Sequence, residues 1–516
     1  MHILTDYASD IKGMISYFDR IIVKGYNRQL CNSKQFGYFL GAQKILYKDY
    51  PTYAQEKTEE LCKHIENIAA EQNRPSMFLR SSKVSKEETA LKLLNESPVD
   101  SGLVCLISTV ELCTAMGLEK NHKNGQLYVG SQNRKCKFYY LYFIDEEFGW
   151  MHFKIQTWFP FMVQIYINGR EYLSKMLDKE HIGYTRYDNT FTHIDDIKRA
   201  QELTVKIESE KLSRIFDAMA RKINCHCELI RNILGHEYYW CLSECEYATD
   251  IMFTTRQSLE AIYPSLVEHA FFSFSCEDIM SFFGRKVSGK GSQSFQGDIA
   301  SDLRKRHKGI RIKHRMKSNQ VKMYDKVSVL RIETTINDPH DFKIWKDTIT
   351  KDGYHKKAWT PMGKSIANMY RYAQVSLAIN MRYLNHLSVI YDKVTPIKMI
   401  ERMSSTIETD NRKYSGFNIL KEETIRLFEI LSNGSFIIKG FTNMDIRKRL
   451  YTHEDITSAK VRNRTTRLIR KRIAHELVWK TPKSMRYHIT VKGRKVIGHI
   501  LYFIKKEYPE AFAFIQ

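Results

Sequence analysis

The stretch CEYATDIMF, residues 245–253, reads as a β-strand because aromatic, β-branched and apolar residues fill it, yet it carries Glu246 and Asp250. In an extended chain, residues two and four apart share a face. Glu244, Glu246 and Asp250 therefore point one way, and Cys245, Tyr247, Thr249 and Ile251 the other. Carboxylates on such a strand need cations, supplied by nearby Lys and Arg or by a divalent ion held against a phosphate. Four residues of strand span about 13 Å, too far for Glu246 and Asp250 to hold one ion without a bulge. One of them is expected as a direct ligand and the other as an outer or substrate-facing group.

The composition points the same way. The chain has 516 residues and a formal net charge of +23, from 81 Lys and Arg against 58 Asp and Glu; the pI is near 9.4. That excess favours a polyanionic partner, DNA before RNA, over a small-molecule substrate. The length suggests about three domains, and 43% hydrophobic residues can build their cores. No run of apolar residues approaches a membrane span, so no membrane partner is expected. The N-terminal MHILTDYASDIKG lacks the basic-then-apolar layout of a signal peptide, and ten scattered cysteines suit a reducing compartment. The expected location is the cytoplasm.

Periodicity predicts an α+β fold: an antiparallel sheet core with packed helices, plus a C-terminal winged-helix domain. The expected divisions are an N-terminal α+β region at 1–130, the sheet core at 131–345, a helical connector at 346–414 and the winged helix-turn-helix at 415–516. YFDRIIVKGYN reads as an early strand, with Asp19 and Lys24 at its ends where either could line a cleft. The segment 137–168 alternates strongly and breaks at EEFG, as a hairpin or meander does. Its Trp150, Trp158 and Phe159 suit base stacking or, more simply, the core of a sheet; His152 is read as structural. GRKVSGKGSQSFQGD is the most loop-like stretch of the chain. Cys225, Cys227, His236, Cys241 and Cys245 do not have a usual zinc spacing.

The segment SNQVKMYDKVSVLRIETT places Lys322, Tyr324 and Lys326 on one face of a strand. A tight connection at DKVS returns it through Arg331 and Glu333 on a second strand. Before it, LRKRHKGIRIKHRMK reads as a basic loop over 304–317, in which Arg311, Lys313, Arg315 and Lys317 would clamp a nucleic-acid backbone.

Together these motifs resemble those of the rolling-circle replication initiators of plasmids and their relaxase relatives. That family has an Asp-x-Ala-x-Asp strand, a loop ending in Ser, an R-x-Y-D-K strand and an R-[FI]-E strand. Here EYATD (Glu246, Ala248, Asp250) is similar to the first, with Glu for the leading Asp; KSNQVKMYDK (Ser318, Lys322, Tyr324, Asp325, Lys326) and LRIE (Arg331, Glu333) are similar to the others. The resemblance implies metal-dependent nicking and rejoining of one DNA strand, with Mg²⁺ or Mn²⁺ near Glu246, Asp250 and Glu333. Tyr324, Lys326 and His314 are then the candidate catalytic residues, and Lys322 a phosphate contact. The sequence departs from the pattern at Ile312, where the family has its nucleophilic tyrosine. Water-mediated hydrolysis, a tyrosine from elsewhere, or binding without chemistry all stay open. The non-enzymatic alternative is a sequence-specific DNA- or RNA-binding regulator or RNA-bound effector.

The C-terminal segment from about 417 reads as three helices, a hairpin turning at Pro482–Lys483, and ITVKGRKVIGHIL. It resembles a winged helix-turn-helix of the MarR-like kind, carried by YHITVKG at 487–493. On the third helix Arg464, Arg467 and Lys471 share one face and would read a major groove, with Lys483 and Arg486 on the wing. A homodimer is compatible with that resemblance.

Overall fold

The computed structural model describes residues 7–81, 83–204, 209–285, 298–306, 309–349, 354–387, 401, 403–409, 412–433, 436, 440–482 and 484–507. Most of the loop-like Gly/Ser/Lys stretch (286–297) and the wing residue Lys483 lie outside the described residues.

The chain opens on β1 (Ile11–Tyr26), followed by helices Ser33–Ala42 and Tyr50–Glu71, β2 (Ser76–Leu79) and helix Lys86–Glu96. The long strands β3 (Gly102–Lys120) and β4 (Leu127–Asp145), then β5 (Gly149–Gln156) and β6 (Val163–Asn168), come next. Helix Gly169–Lys179 leads to the short hairpin β7 (Tyr184–Tyr187) and β8 (Thr190–Ile194), and further helices lead to β9 (Tyr239–Phe253). Later strands are β10 (Ile299–Arg306), β11 (Gly309–Met316), β12 (Asn319–Lys326), β13 (Val329–Ile336), β14 (Lys343–Ile349) and β15 (His355–Pro361).

Two compact units result. The larger holds Gly13–Asp250 and Glu333–Leu377; the smaller holds Met1–Lys12, Ile251–Ile332 and Ala378–Gln516. The N-terminal region 1–130 is thus not a separate module: β1, β2 and β3 belong to the same sheet as the strands of 131–250.

In the larger unit the strand order is β13-β9-β1-β6-β5-β4-β3-β2. The ladders β1–β6, β6–β5, β5–β4 and β4–β3 are antiparallel, whereas β2 runs parallel to β3. The class is therefore mixed α and β with a large mixed sheet, not a purely antiparallel one. The edge strand β2 has only four residues, too few to show a period in the sequence. Aromatics cement helices to sheet: Phe36 meets Phe159 edge-on at 5.3 Å, and Tyr53 stacks on Phe159 at 5.9 Å. Trp158 and Phe159 are buried in this cluster and present no stacking surface. His152 is half-buried and lies against Tyr166 with parallel rings 5.1 Å apart. Where the helical connector is expected to begin, at 346, β14 and β15 instead pair antiparallel, and the helix begins at Met369.

In the smaller unit β10, β11 and β12 form an antiparallel meander. The basic segment 304–317 is therefore largely two paired strands and not a loop. Apolar side chains on its alternate positions explain why: Ile312 and Met316 are buried under helices Arg256–Phe272 and Cys276–Phe282. Further along come the short strands β16 (Ile407–Thr409) and β17 (Arg412–Tyr414), helices Glu422–Leu431, Asn443–Leu450 and Ala459–Ala474, the hairpin β18 (Val478–Lys480) with β19 (Tyr487–Ile489), and helix Val491–Tyr502. These helices and the last hairpin share one core built on Leu427, Phe428, Phe441, Ile446, Ile469 and Ile500. The phrase ITVKG has a local cause. Thr490 caps the last helix by accepting from the Gly493 N–H at 2.7 Å, and a Cβ at Gly493 would lie 2.1 Å from the Leu477 carbonyl oxygen.

Gly169 makes a testable demand of the same kind. It starts a helix where a Cβ would meet the Phe18 carbonyl oxygen at 2.0 Å. Gly169→Ala is expected to cost about 1–3 kcal/mol, the usual scale of overpacking, read as a lower denaturant midpoint with unchanged m-value.

Candidate metal centre and nucleic-acid surfaces

Three strands of the larger unit each contribute one buried carboxylate: Asp19 from β1, Glu246 from β9 and Glu333 from β13. One oxygen of each lies within 4.8 Å of the other two, and among the described residues this is the group able to hold a metal ion. Glu246 and Glu333 are two of the three expected ligands. Asp250 is not in the group. It is fully buried and accepts the Tyr17 hydroxyl at 2.7 Å. Asp19 takes its place, and its signal was the lone acid of FDRIIVKG inside an otherwise apolar strand.

Two arginines frame the site. Arg20 donates to Glu244 and, at 3.1 Å, to Glu246. Arg170 donates to Asp19 at 3.1 Å, and Asn189 donates to its other oxygen at 3.3 Å. The Thr335 hydroxyl donates to Glu246 at 3.3 Å. Arg170 reaches Asp19 because β6 ends opposite Arg20, at Asn168, and turns at once into a helix. Asn168 caps that helix by accepting from the Glu171 N–H. Burial works against the charge of Arg20, but Glu246 and Glu244 outweigh it and hold its pKa above the ordinary value. Two unit charges 4.8 Å apart repel by about 3.5 kcal/mol at an effective dielectric of ~20. Three clustered carboxylates thus need cationic compensation, and hard oxygen donors suit Mg²⁺ or Mn²⁺.

The cysteine and histidine residues weighed for zinc do not converge among the described residues; all ten cysteines are free thiols.

The other expected site residues lie in the smaller unit. Lys322, Tyr324 and Lys326 share a face of β12, where both lysines are buried and the Lys326 ammonium sits 5.6 Å from the Tyr324 ring centre. The β11–β12 register sets Arg311 opposite Tyr324 and Lys313 opposite Lys322. His314 is corrected. It is fully buried, bonded to the Ser301 hydroxyl at 2.8 Å and the Tyr383 hydroxyl at 3.2 Å, and ringed by Phe274 and Phe282. Such a core imidazole reaches no substrate. Arg311 is corrected as well: it is buried and paired with Asp302 at 2.9 Å, with Lys313 at 3.6 Å from the same carboxylate. Arg315 and Lys317 remain exposed.

On helix Ala459–Ala474 Lys460, Arg462, Asn463, Arg464, Arg467 and Arg470 are exposed. Of the expected face Arg464 and Arg467 are thus exposed, Arg464 while pairing with Glu423 at 2.7 Å, whereas Lys471 donates to the Gly416 carbonyl at 2.8 Å. Arg486 on the hairpin is exposed. The aromatics that do face solvent were not singled out from the sequence. Trp345 and Trp359 stand opposite each other on β14–β15, half-exposed with ring centres 5.5 Å apart, and Arg371 lies over Trp359. Trp479 stacks on His488 on the C-terminal hairpin.

No family model, curated protein or solved structure matches the chain. Among the described residues no helix is long and apolar enough to cross a membrane.

Burial pushes the pKa values of His152, His269 and His314 down to about 4. A histidine with a depressed folded pKa binds its proton more readily when unfolded, so stability falls as pH drops from about 6.5 towards about 4. The thermal midpoint should decline across that window, and His314→Gln, which has no proton to gain, should flatten part of the decline.

Proposed function

We propose that the chain is a metal-dependent nucleic-acid strand-cleaving protein, acting on DNA in the manner the initiator-like motifs imply. The observation that carries this reading is the convergence of Asp19, Glu246 and Glu333 on one point of the sheet. Mg²⁺ or Mn²⁺ would be held by those three carboxylates and would supply Lewis-acid polarisation of the scissile phosphate and a bound water of lowered pKa. Arg20 and Arg170 orient the carboxylates and offset their charge, and their guanidinium groups suit phosphate.

The nucleophile in this reading is water. Tyrosines on the strands around the site are committed elsewhere: Tyr17 donates to Asp250, Tyr247 meets Phe18 edge-on at 5.1 Å, and Tyr166 lies against His152 with its pKa raised to about 12 by burial. Ile312 is wholly buried where the resembling family has its tyrosine. The C-terminal helices and hairpin are read as a winged helix-turn-helix, with Arg467 and Arg470 facing the major groove and Arg486 the backbone. The tryptophan pair of β14–β15, flanked by Lys343, Lys346, Lys356 and Lys357, offers a stacking surface for an unpaired strand. The alternative is a binding protein without chemistry, favoured by the arginines already pairing two of the carboxylates.

Labelled single-stranded and hairpin DNA should be cleaved with Mg²⁺ or Mn²⁺ and not with EDTA, leaving no protein attached to the product. Asp19→Asn, Glu246→Gln and Glu333→Gln should each lower the rate at least about 100-fold, the scale of losing a transition-state charge stabiliser, with DNA binding kept. Cleavage undiminished in all three removes the assignment; tight binding with no product under any metal establishes the alternative.

Trp345→Ala and Trp359→Ala should each weaken single-strand binding by about 1–3 kcal/mol and leave duplex binding unchanged. Quenching of tryptophan fluorescence on titration with oligothymidylate reads the same contact.

A further inference from the structure

A cavity of about 660 Å³ in the larger unit takes no part in the carboxylate site. Its lining includes Lys24, Arg28, Lys364 and His340, with Tyr26 and Tyr239, and no Asp or Glu. Lys24, Arg28 and Lys364 are exposed to solvent. Arg28 lies flat over the Tyr239 ring at 3.6 Å, and Tyr26 meets that ring edge-on at 5.8 Å. His340 is held by Asp338. A second cavity of about 250 Å³ shares Lys24, Thr114 and Met162 and adds Lys154 and Glu111, which pair with each other at 2.7 Å, so the space continues as a groove across the sheet. Like charges crowd here: burial first, then Lys154 and Lys364, lower the pKa of Lys24.

In the 660 Å³ cavity the cations stand without a carboxylate in the lining, and such a cluster is stabilised by an anion. The β1–β6 register is continuous from Arg20 to Gly25, so Arg20 and Lys24 point to the same side of the sheet. Lys24 lies five residues from Asp19 along β1, about 17 Å, and Leu242 lies four from Glu246 along β9, about 13 Å. We propose that this cavity binds phosphates of a single nucleic-acid strand a few nucleotides from the carboxylate site, with Lys24, Arg28 and Lys364 as contacts. This rests on the nuclease reading for its purpose but not for its chemistry. An open groove continuous over two cavities favours a strand over a free nucleotide.

The test uses the full chain in EDTA, with a fluorescein-labelled ten-nucleotide single strand followed by anisotropy. Lys24→Gln/Lys364→Gln should raise Kd at least tenfold. It should also flatten the dependence of log K on log salt by about 1.4, that is ~0.7 for each of two phosphates. Lys364→Gln alone should show half that change in slope, and serves should the double variant not fold. Glu246→Gln should bind as the unaltered chain does, so loss of cleavage and loss of strand binding are read separately. Unchanged Kd and slope in the lysine variants overturn the proposal. So does displacement of the strand by a 5′-mononucleotide at equal concentration, which would mark a free-nucleotide pocket.

Discussion

Three buried carboxylates and two arginines on adjoining strands set the terms for the larger unit. Desolvating Asp19, Glu246 and Glu333 together is costly, and their mutual repulsion adds to the cost. Arg20 and Arg170 offset part of it, and each is placed by backbone that cannot easily change. Arg20 stands opposite Asn168 in the β1–β6 ladder, while Arg170 opens the helix whose first residue must be glycine. Three acidic oxygens still face one another within 4.8 Å, a spacing that a hard divalent cation could bridge.

Strands and carboxylates were legible to different degrees. β9 and β13 announced themselves because acids interrupted runs fit for burial, and Glu246 and Glu333 do meet. The sequence alone could not choose between Asp250 and Asp19 as the third acid. Alternation places Glu246 and Asp250 on one face but says nothing of which strand lies alongside. That neighbour is β1, more than two hundred residues earlier, so the choice was a matter of long-range pairing. The same limit hid β3 and the parallel β2, and it concealed the hairpin β14–β15 where the helical connector is expected to begin. Tertiary neighbours, not local period, decide such elements.

Charge was the least reliable guide at single residues. Net charge survives folding, but each cation first seeks an acid of its own unit. Asp302 collects Arg304, Arg311 and Lys313. Glu423 takes Arg464 from a face that looked continuous along the helix. What stays exposed on helix Ala459–Ala474 runs from Lys460 to Arg470 and includes Arg464. Spacing gave the helix its axis, and a partly exposed acid on a neighbouring helix engages one of its exposed arginines. His314 failed for a parallel reason: its flanking charges point outward from β11, and the imidazole between them points into rings.

Glu244 completes the logic of the carboxylate site. It adds a further acid to a strand that already carries two, which burial alone does not explain. Arg20 binds both Glu244 and Glu246. A cation drawn to Glu246, Asp19 and Glu333 would compete with Arg20 for Glu246. With Glu244 beside it, the partly exposed Arg20 can yield one acceptor and keep the other. The more exposed end of the acidic row thus holds the arginine whichever partner the buried end takes.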